Sequence, residues 1–172
     1  MNNTEREIIE AVYKAKSRMC TSYDVAVPNC FTQHDNEADL FFIRKSGLCD
    51  EVEIKVSRPD LLQDKKKRVR YREFIYPDDC DKDMPHIKPK HDALIAGEMD
   101  CNYFWYALKN GIGGIEDIPE WAGLIIVKDD GESSIIRSPK RLHRKKMSFE
   151  DRYKIARKAS YRFWKSEFGI GL

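Results

Sequence analysis

Asp39, Glu53 and Lys55 are the residues of this chain whose types and spacing could do chemistry. Glu53 and Lys55 belong to EVEIKV, where Val52, Ile54 and Val56 alternate with Glu51, Glu53 and Lys55. A strand with that pattern has one apolar face and one charged face. The preceding ADLFFI, residues 38–43, reads as a second strand, and KSGLC between them reads as a turn containing Gly47. If the two strands pair antiparallel about a turn near residues 46 and 47, Asp39 falls nearly opposite Glu53. Their Cβ atoms would then lie about 5 Å apart. Lys55 shares the face of Glu53, roughly 7 Å further along the strand.

Two carboxylates that close repel unless a proton or a cation lies between them. Oxygen ligands of this kind suit Mg²⁺ or Mn²⁺, which keep several waters and accept phosphate oxygens. Such a cation polarises a phosphodiester and helps turn water into a nucleophile. Lys55 could orient that water or stabilise charge developing on the phosphate. Acid-x-Lys alone is more often a solvated strand face, and Asp64-x-Lys66 satisfies it too. The strand context, the opposed Asp39 and the helix that follows favour a site.

The elements that must hold these residues are legible on either side. Thr4 followed by Glu7 resembles a capping box and predicts a helix over 5–19, with Ile8, Ile9, Val12 and Tyr13 on its buried stripe. YDVAV predicts a short strand ended by Pro28-Asn29. Ser57 and Asp60 can cap a helix running to about Tyr71, with Leu61, Leu62 and Val69 inward. Residues 77–90 form a proline-rich loop, and HDALIAG after them reads as a short buried element. NYFWYAL and GLIIVK predict further strands, the first more fitting as buried sheet than as a stacking platform. Asp129-Asp130-Gly131 predicts a turn into SSIIR, and a last helix is expected over 148–167.

At this point the chain resembles a known group. Asp39, followed by Glu53-Ile54-Lys55 on the next strand, resembles the PD-(D/E)xK nuclease superfamily. EVEIKVSRPDLLQDKKK, NYFWYAL and IPEWAGLIIV are similar to its MmcB-like DNA-repair and phage-associated branch. The resemblance covers residues 23–128, and Ala38 stands where the superfamily's name has proline. It implies metal-dependent cleavage of a nucleic-acid backbone. Asp39, Glu53 and the carbonyl of Ile54 would hold Mg²⁺ or Mn²⁺, and Lys55 would act on the attacking water. Related nucleases add an acid from the first helix; Glu10 is the candidate here, or else a plain solvent-facing residue. Asp60, Asp64, Lys66 and Tyr71 follow the branch's pattern on the helix, with capping, intrahelical pairing and packing as their alternatives.

The expected partner is nucleic acid, with DNA first. From 65 to 72 every residue but Val69 and Tyr71 is basic, and 137–146 carries six Lys and Arg without an acid. Lys65, Lys66, Arg68, Arg141, Arg144 and Lys145 could neutralise phosphates and give sequence-independent affinity. No base-reading motif is present. His34, His86, His91 and His143 are scattered, and none is placed with a Ser or Cys as a nucleophile pair.

Bulk properties agree with this reading. The chain has 172 residues, 41% hydrophobic and 35% charged, with a net charge of +2, which fits one polar-rich globular domain over 1–172. A basic segment and a C-terminal helix occupy about 137–167. No apolar run approaches the roughly 20 residues of a membrane span, and the N-terminus lacks a signal-peptide core, so a cytoplasmic protein is expected. The cysteines are odd in number and scattered, as suits reduced thiols, and there is no CxxC pair for zinc. The expected fold is α/β, a mixed central sheet flanked by helices with a restriction-endonuclease-like core. The expected function is phosphodiester hydrolysis in repair, recombination or phage biology. Two alternatives remain: a noncatalytic nucleic-acid-binding protein that keeps the fold, and a phage protein-interaction module.

Overall fold

The computed structural model describes residues 3–19, 23–32, 36–71 and 86–170. Its elements run α1 (Asn3–Met19), β1 (Tyr23–Phe31), β2 (Glu37–Arg44), β3 (Cys49–Lys55), α2 (Arg58–Asp64), β4 (Arg68–Tyr71) and β5 (His86–Pro89). They continue α3 (Lys90–Ile95), β6 (Tyr103–Lys109), β7 (Gly123–Val127), β8 (Ser133–Arg137) and α4 (Phe149–Phe168), with a 3₁₀ turn at Ile115–Asp117. Six strands form one sheet in the order β1-β2-β3-β6-β7-β8, and β4 and β5 form a separate two-stranded ribbon. β3, β6 and β7 are mutually parallel, while the outer pairs are antiparallel. This is the mixed α/β sheet with flanking helices that the alternation of strand and helix signals predicts.

The hairpin has the expected register. Leu40 pairs with Val52, Phe41 with Glu51, Phe42 with Asp50 and Ile43 with Cys49. One further step along the same register sets Asp39 opposite Glu53. The turn holds because Gly47 takes φ 86°, which an L side chain rarely adopts. Its N–H donates to the Arg44 carbonyl at 2.8 Å.

The alternation along β2 and β3 divides the sheet into two faces. On one, Leu40, Phe42, Val52, Ile54, Trp105 and Ile125 pack against Ile8, Ala11 and Val12 of α1. On the other, Phe41, Ile43 and Cys49 meet Ile155 of α4. Phe104, Tyr106, Leu108 and Leu124 continue that second face beneath Leu61 of α2 and Ala93 and Leu94 of α3. Because β3 is central, both its faces are covered, and all seven residues from Cys49 to Lys55 are buried.

Three elements differ from the sequence expectation. β1 continues through Pro28, which pairs with Leu40, and Asn29, at φ 48°. An edge strand tolerates proline because the missing N–H removes no interior ladder bond. α2 stops at Asp64 instead of reaching Tyr71. Consecutive Lys65, Lys66, Lys67 and Arg68 would crowd like charges on a helix, whereas 68–71 alternates with period two and pairs with 86–89 as β4–β5. Leu62 is exposed, and only Leu61 of that pair is inward. Part of the proline-rich 77–90 loop lies outside the described residues. Among the described residues no helix is long and apolar enough to cross a membrane.

Candidate functional site

Glu51, Glu53 and Lys55 point from β3 into the face shared with α2, α3 and α4, and each is about 1% exposed. A carboxylate is not buried alone, because removing a charge from water costs several kcal/mol even after relaxation. Here the compensation comes from three lysines. Glu53 Oε1 accepts from Lys55 Nζ at 3.0 Å and from Lys67 Nζ, and Glu53 Oε2 accepts from Lys90 Nζ at 2.9 Å. Lys90, itself 1% exposed, also lies 2.8 Å from Glu51 Oε1, which Asn36 Nδ2 meets at 3.0 Å.

The third buried acid on this face is Asp64, at the last turn of α2. Its Oδ1 lies 3.0 Å from Lys55 Nζ and 3.5 Å from Lys67 Nζ. Its Oδ2 accepts from the Tyr106 hydroxyl, with His91 Nε2 at 3.3 Å. His91 Nε2 is also 2.8 Å from the Tyr106 oxygen. Since the single Tyr106 proton goes to Asp64, His91 must carry a proton on Nε2 to donate to Tyr106. Asp60, on the rim, comes within 3.5 Å of Lys55.

These contacts set the protonation states. Burial alone would raise the Glu53 pKa, but the Lys90, Lys55 and Lys67 ammoniums outweigh it and hold the carboxyl at about 2. Asp64 is held well below the usual range: burial opposes this, and the His91 and Tyr106 hydrogen bonds and the Lys55 charge overcome it. Lys55 and Lys90 are raised, because their carboxylates outweigh the burial that would lower them. Tyr106 is pushed far up by burial and then by Asp64. Asp39 goes the other way from Glu53: burial first, then the Glu53 charge, push it up to about 6. Its Oδ2 accepts the Ile54 N–H at 2.7 Å, which locks the side chain across the hairpin.

The structure thus brings Asp39, Glu53 and Lys55 together, with the Ile54 backbone between them. Glu10 is not among them. It belongs to α1, which packs on the opposite face of the sheet, and it is exposed and paired with Lys14 at 2.6 Å. Lys65, Lys66 and Arg68 are exposed beside Asp64 and Lys67. Arg141, Arg144 and Lys145 lie on a segment pinned by backbone: Leu142 N–H to Asn102 O, Asn102 Nδ2 to the His143 and Lys145 carbonyls, and Met147 N–H to Gly47 O. The last contact puts its end at the hairpin turn, six residues of strand from Glu53, or about 20 Å. Cys30, Cys49 and Cys101 are buried free thiols, and Cys20 and Cys80 lie outside the described residues.

Lys90, Lys67 and Tyr106 escape sequence reasoning. Lone lysines in basic runs and a tyrosine in an aromatic strand give no signal of their own. Glu51 is partly legible, since it alternates with Glu53 on one face.

Whether a divalent cation fits can be tested on this geometry. Among the described residues no cluster of three or more His, Cys, Asp or Glu is arranged to hold a metal. Mg²⁺ does not require one, since one or two carboxylates suffice when water and phosphate complete its shell. Asp39 and Glu53 supply that pair. The Lys67 ammonium, on a side chain 42% exposed, already lies between Glu53 and Asp64, so the acids attract a cation from the solvent side. A cation there would have to displace Lys67 from Glu53 Oε1 and share the two Glu53 oxygens with Lys55 and Lys90.

Comparison with known proteins adds the fold alone. No protein-family model and no curated protein matches the chain. The solved structure of SPO1766, a protein of unknown function from Silicibacter pomeroyi, superposes with a TM-score of 0.61 at 18% identity, covering 95% of this chain and 92% of that one.

Proposed function

We propose that this protein is a metal-dependent nuclease of the PD-(D/E)xK type, hydrolysing phosphodiester bonds of DNA. The observation that carries the reading is the pairing of unlike acids across one hairpin. Asp39, near pKa 6, faces Glu53, near 2, with the Lys55 ammonium 3.0 Å from Glu53. A carboxyl raised by burial and a neighbouring like charge is common at functional sites.

When bound, Mg²⁺ or Mn²⁺ would supply Lewis acidity toward the phosphate. Asp39 and Glu53 would hold it, with the Ile54 carbonyl as a further oxygen. Lys55 keeps its proton at neutral pH, so it cannot be a general base. It can donate to water or to a phosphate oxygen and stabilise the charge that develops there. Asp64, fixed by Tyr106, holds the Lys55 ammonium in place. Lys65, Lys66 and Arg68 would meet the phosphate backbone beside this site, and Arg141, Arg144 and Lys145 would meet it at the hairpin turn. Repair, recombination and phage biology are the settings proposed for such an activity.

The test is a panel of duplex, single-stranded and branched DNA and RNA, incubated with Mg²⁺, Mn²⁺ or EDTA. Metal-dependent cleavage that EDTA stops and Lys55→Ala abolishes supports the reading. Binding without cleavage in every metal would favour the second reading, a noncatalytic nucleic-acid-binding protein. That alternative rests on one observation: both oxygens of Glu53 already have lysine partners.

A further inference from the structure

α4 is 20 residues long, about 30 Å, yet only Ile155 of it is buried. Ile155, with Ala159 partly buried beside it, seats the helix on the sheet, and Arg162 clamps it to β1 by donating to the Pro28 carbonyl at 2.8 Å and to that of Asn29. From Ser160 to Ile170 every residue is exposed. The helix nevertheless has sound ends. Ser148 Oγ accepts the Asp151 N–H at 3.1 Å, and Gly169 closes the C-terminus at φ 66°.

Its outward stripe has an unusual composition. Tyr153, Arg157, Tyr161, Trp164 and Phe168 follow one another at three- to four-residue spacing, which places them along one side of the helix. The Arg157 guanidinium lies 5.9 Å from the rings of both Tyr153 and Tyr161. Trp164 stacks at a tilt on Phe168, centroids 4.8 Å apart. Tyr153 is 58% exposed and Trp164 42%. Between Arg152 and Ser166 the helix has no acid, while Arg157, Lys158 and Lys165 sit among the rings.

We infer that this stripe is a binding surface for single-stranded nucleic acid, on which bases stack against Tyr153, Tyr161 and Trp164 while Arg157, Lys158 and Lys165 meet phosphates. The inference rests on the nuclease reading for the class of partner, and it adds a surface to which the earlier basic runs did not point. The interleaving decides the occupant. A strand of nucleic acid alternates flat π faces with anionic charge and wants rings and cations mixed along one track. A membrane-surface helix instead separates its cations from its apolar face. A helix-to-helix seam wants aliphatic residues at heptad positions, and this stripe has an arginine at its middle.

The experiment titrates the full-length protein, in EDTA so that no cleavage intervenes, with a 20-nucleotide oligo(dT). Trp164 fluorescence and the anisotropy of labelled strand are the readouts. Trp105 is buried and Trp121 partly so, which leaves Trp164 as the exposed reporter. The expected result is quenching of Trp164, a loss of affinity of about tenfold or more in Tyr161→Ala/Trp164→Ala, and near wild-type affinity in Tyr161→Phe/Trp164→Phe. Arg157→Glu/Lys165→Glu should weaken binding and flatten its salt dependence. Unquenched Trp164, or wild-type affinity in the alanine variant, overturns the inference even if the protein cleaves DNA. Quenching here, together with no cleavage of any substrate in Mg²⁺ or Mn²⁺, leaves it standing and removes the nuclease reading instead. A blue shift of Trp164 emission with phosphatidylglycerol vesicles, without quenching by oligo(dT), would assign the stripe to a membrane. A mass that doubles with protein concentration and reverts in the alanine variant, without quenching by oligo(dT), would assign it to a second copy. Either outcome overturns the proposal.

Discussion

Asp39→Asn offers a sign test of the shared carboxylate site. Asp39 stands opposite Glu53 and is raised from its ordinary 3.8 to about 6. Such a rise means that the ionised form is less stable in the folded protein than in the unfolded chain. At 1.36 kcal/mol per pH unit the cost is at most about 3 kcal/mol above pH 6. Asp39 is only half-buried, and solvent screening lowers that to about 1.5 kcal/mol. The sign follows from linkage. Between about pH 4 and 6 the folded state binds more protons at this site than the unfolded state, so stability falls as pH rises through that window. The asparagine side chain keeps the shape, and its carbonyl oxygen can still accept the Ile54 N–H. The apoprotein variant should therefore melt about 3–6 °C above wild type at pH 7, given about 2–4 °C per kcal/mol at this length, and level with it at pH 4. Saturating Mg²⁺ should reverse the order at pH 7. Ligand at 100 times its Kd adds about 2.7 kcal/mol to the protein that binds it, and the variant gains less. The assay is thermal unfolding of both proteins at pH 4 and pH 7, in EDTA and in Mg²⁺. If Asp39→Asn lowers the melting temperature by the same amount in all four conditions, the carboxylate is a structural hydrogen-bond acceptor and the metal site is wrong.

Three further expectations follow from the buried network and the basic segment. Lys90→Met leaves Glu51 and Glu53 side by side on β3 without their shared ammonium, and should destabilise by about 3–5 kcal/mol; an unchanged denaturant midpoint would mean that Lys90 does not compensate them. Tyr106→Phe removes one hydrogen bond to a charged carboxylate, a loss of about 1.5–3 kcal/mol in unfolding free energy, and wild-type stability would show that Asp64 does not depend on Tyr106. Neutralising Arg141, Arg144 and Lys145 should reduce the slope of log affinity against log salt by about 0.9 per lost duplex phosphate contact, and an unchanged slope would assign that segment to solvent.

What the sequence determined by itself is local. Strict alternation in EVEIKV, a glycine able to take φ 86° in the turn and a second strand-like run before it are enough to fix which residues share a face and which lie opposite. That is why the Asp39–Glu53 pairing and the placing of Lys55 could be read from the letters. The same holds for the last helix, whose ends are marked by Ser148 and Gly169. The tertiary structure decided everything that depends on non-neighbours. α1 packs on one face of the sheet and the carboxylates open onto the other, which removes Glu10 from the site although its type and helix suited the role. Whether 65–71 continues a helix was settled by pairing with 86–89, a choice that local charge repulsion permits but does not make. Above all, Lys90 reaches Glu53 across 37 positions of chain, and Tyr106 reaches Asp64 across 42. A buried charge must find its counter-charge wherever the fold brings one, and no periodicity in sequence encodes that distance.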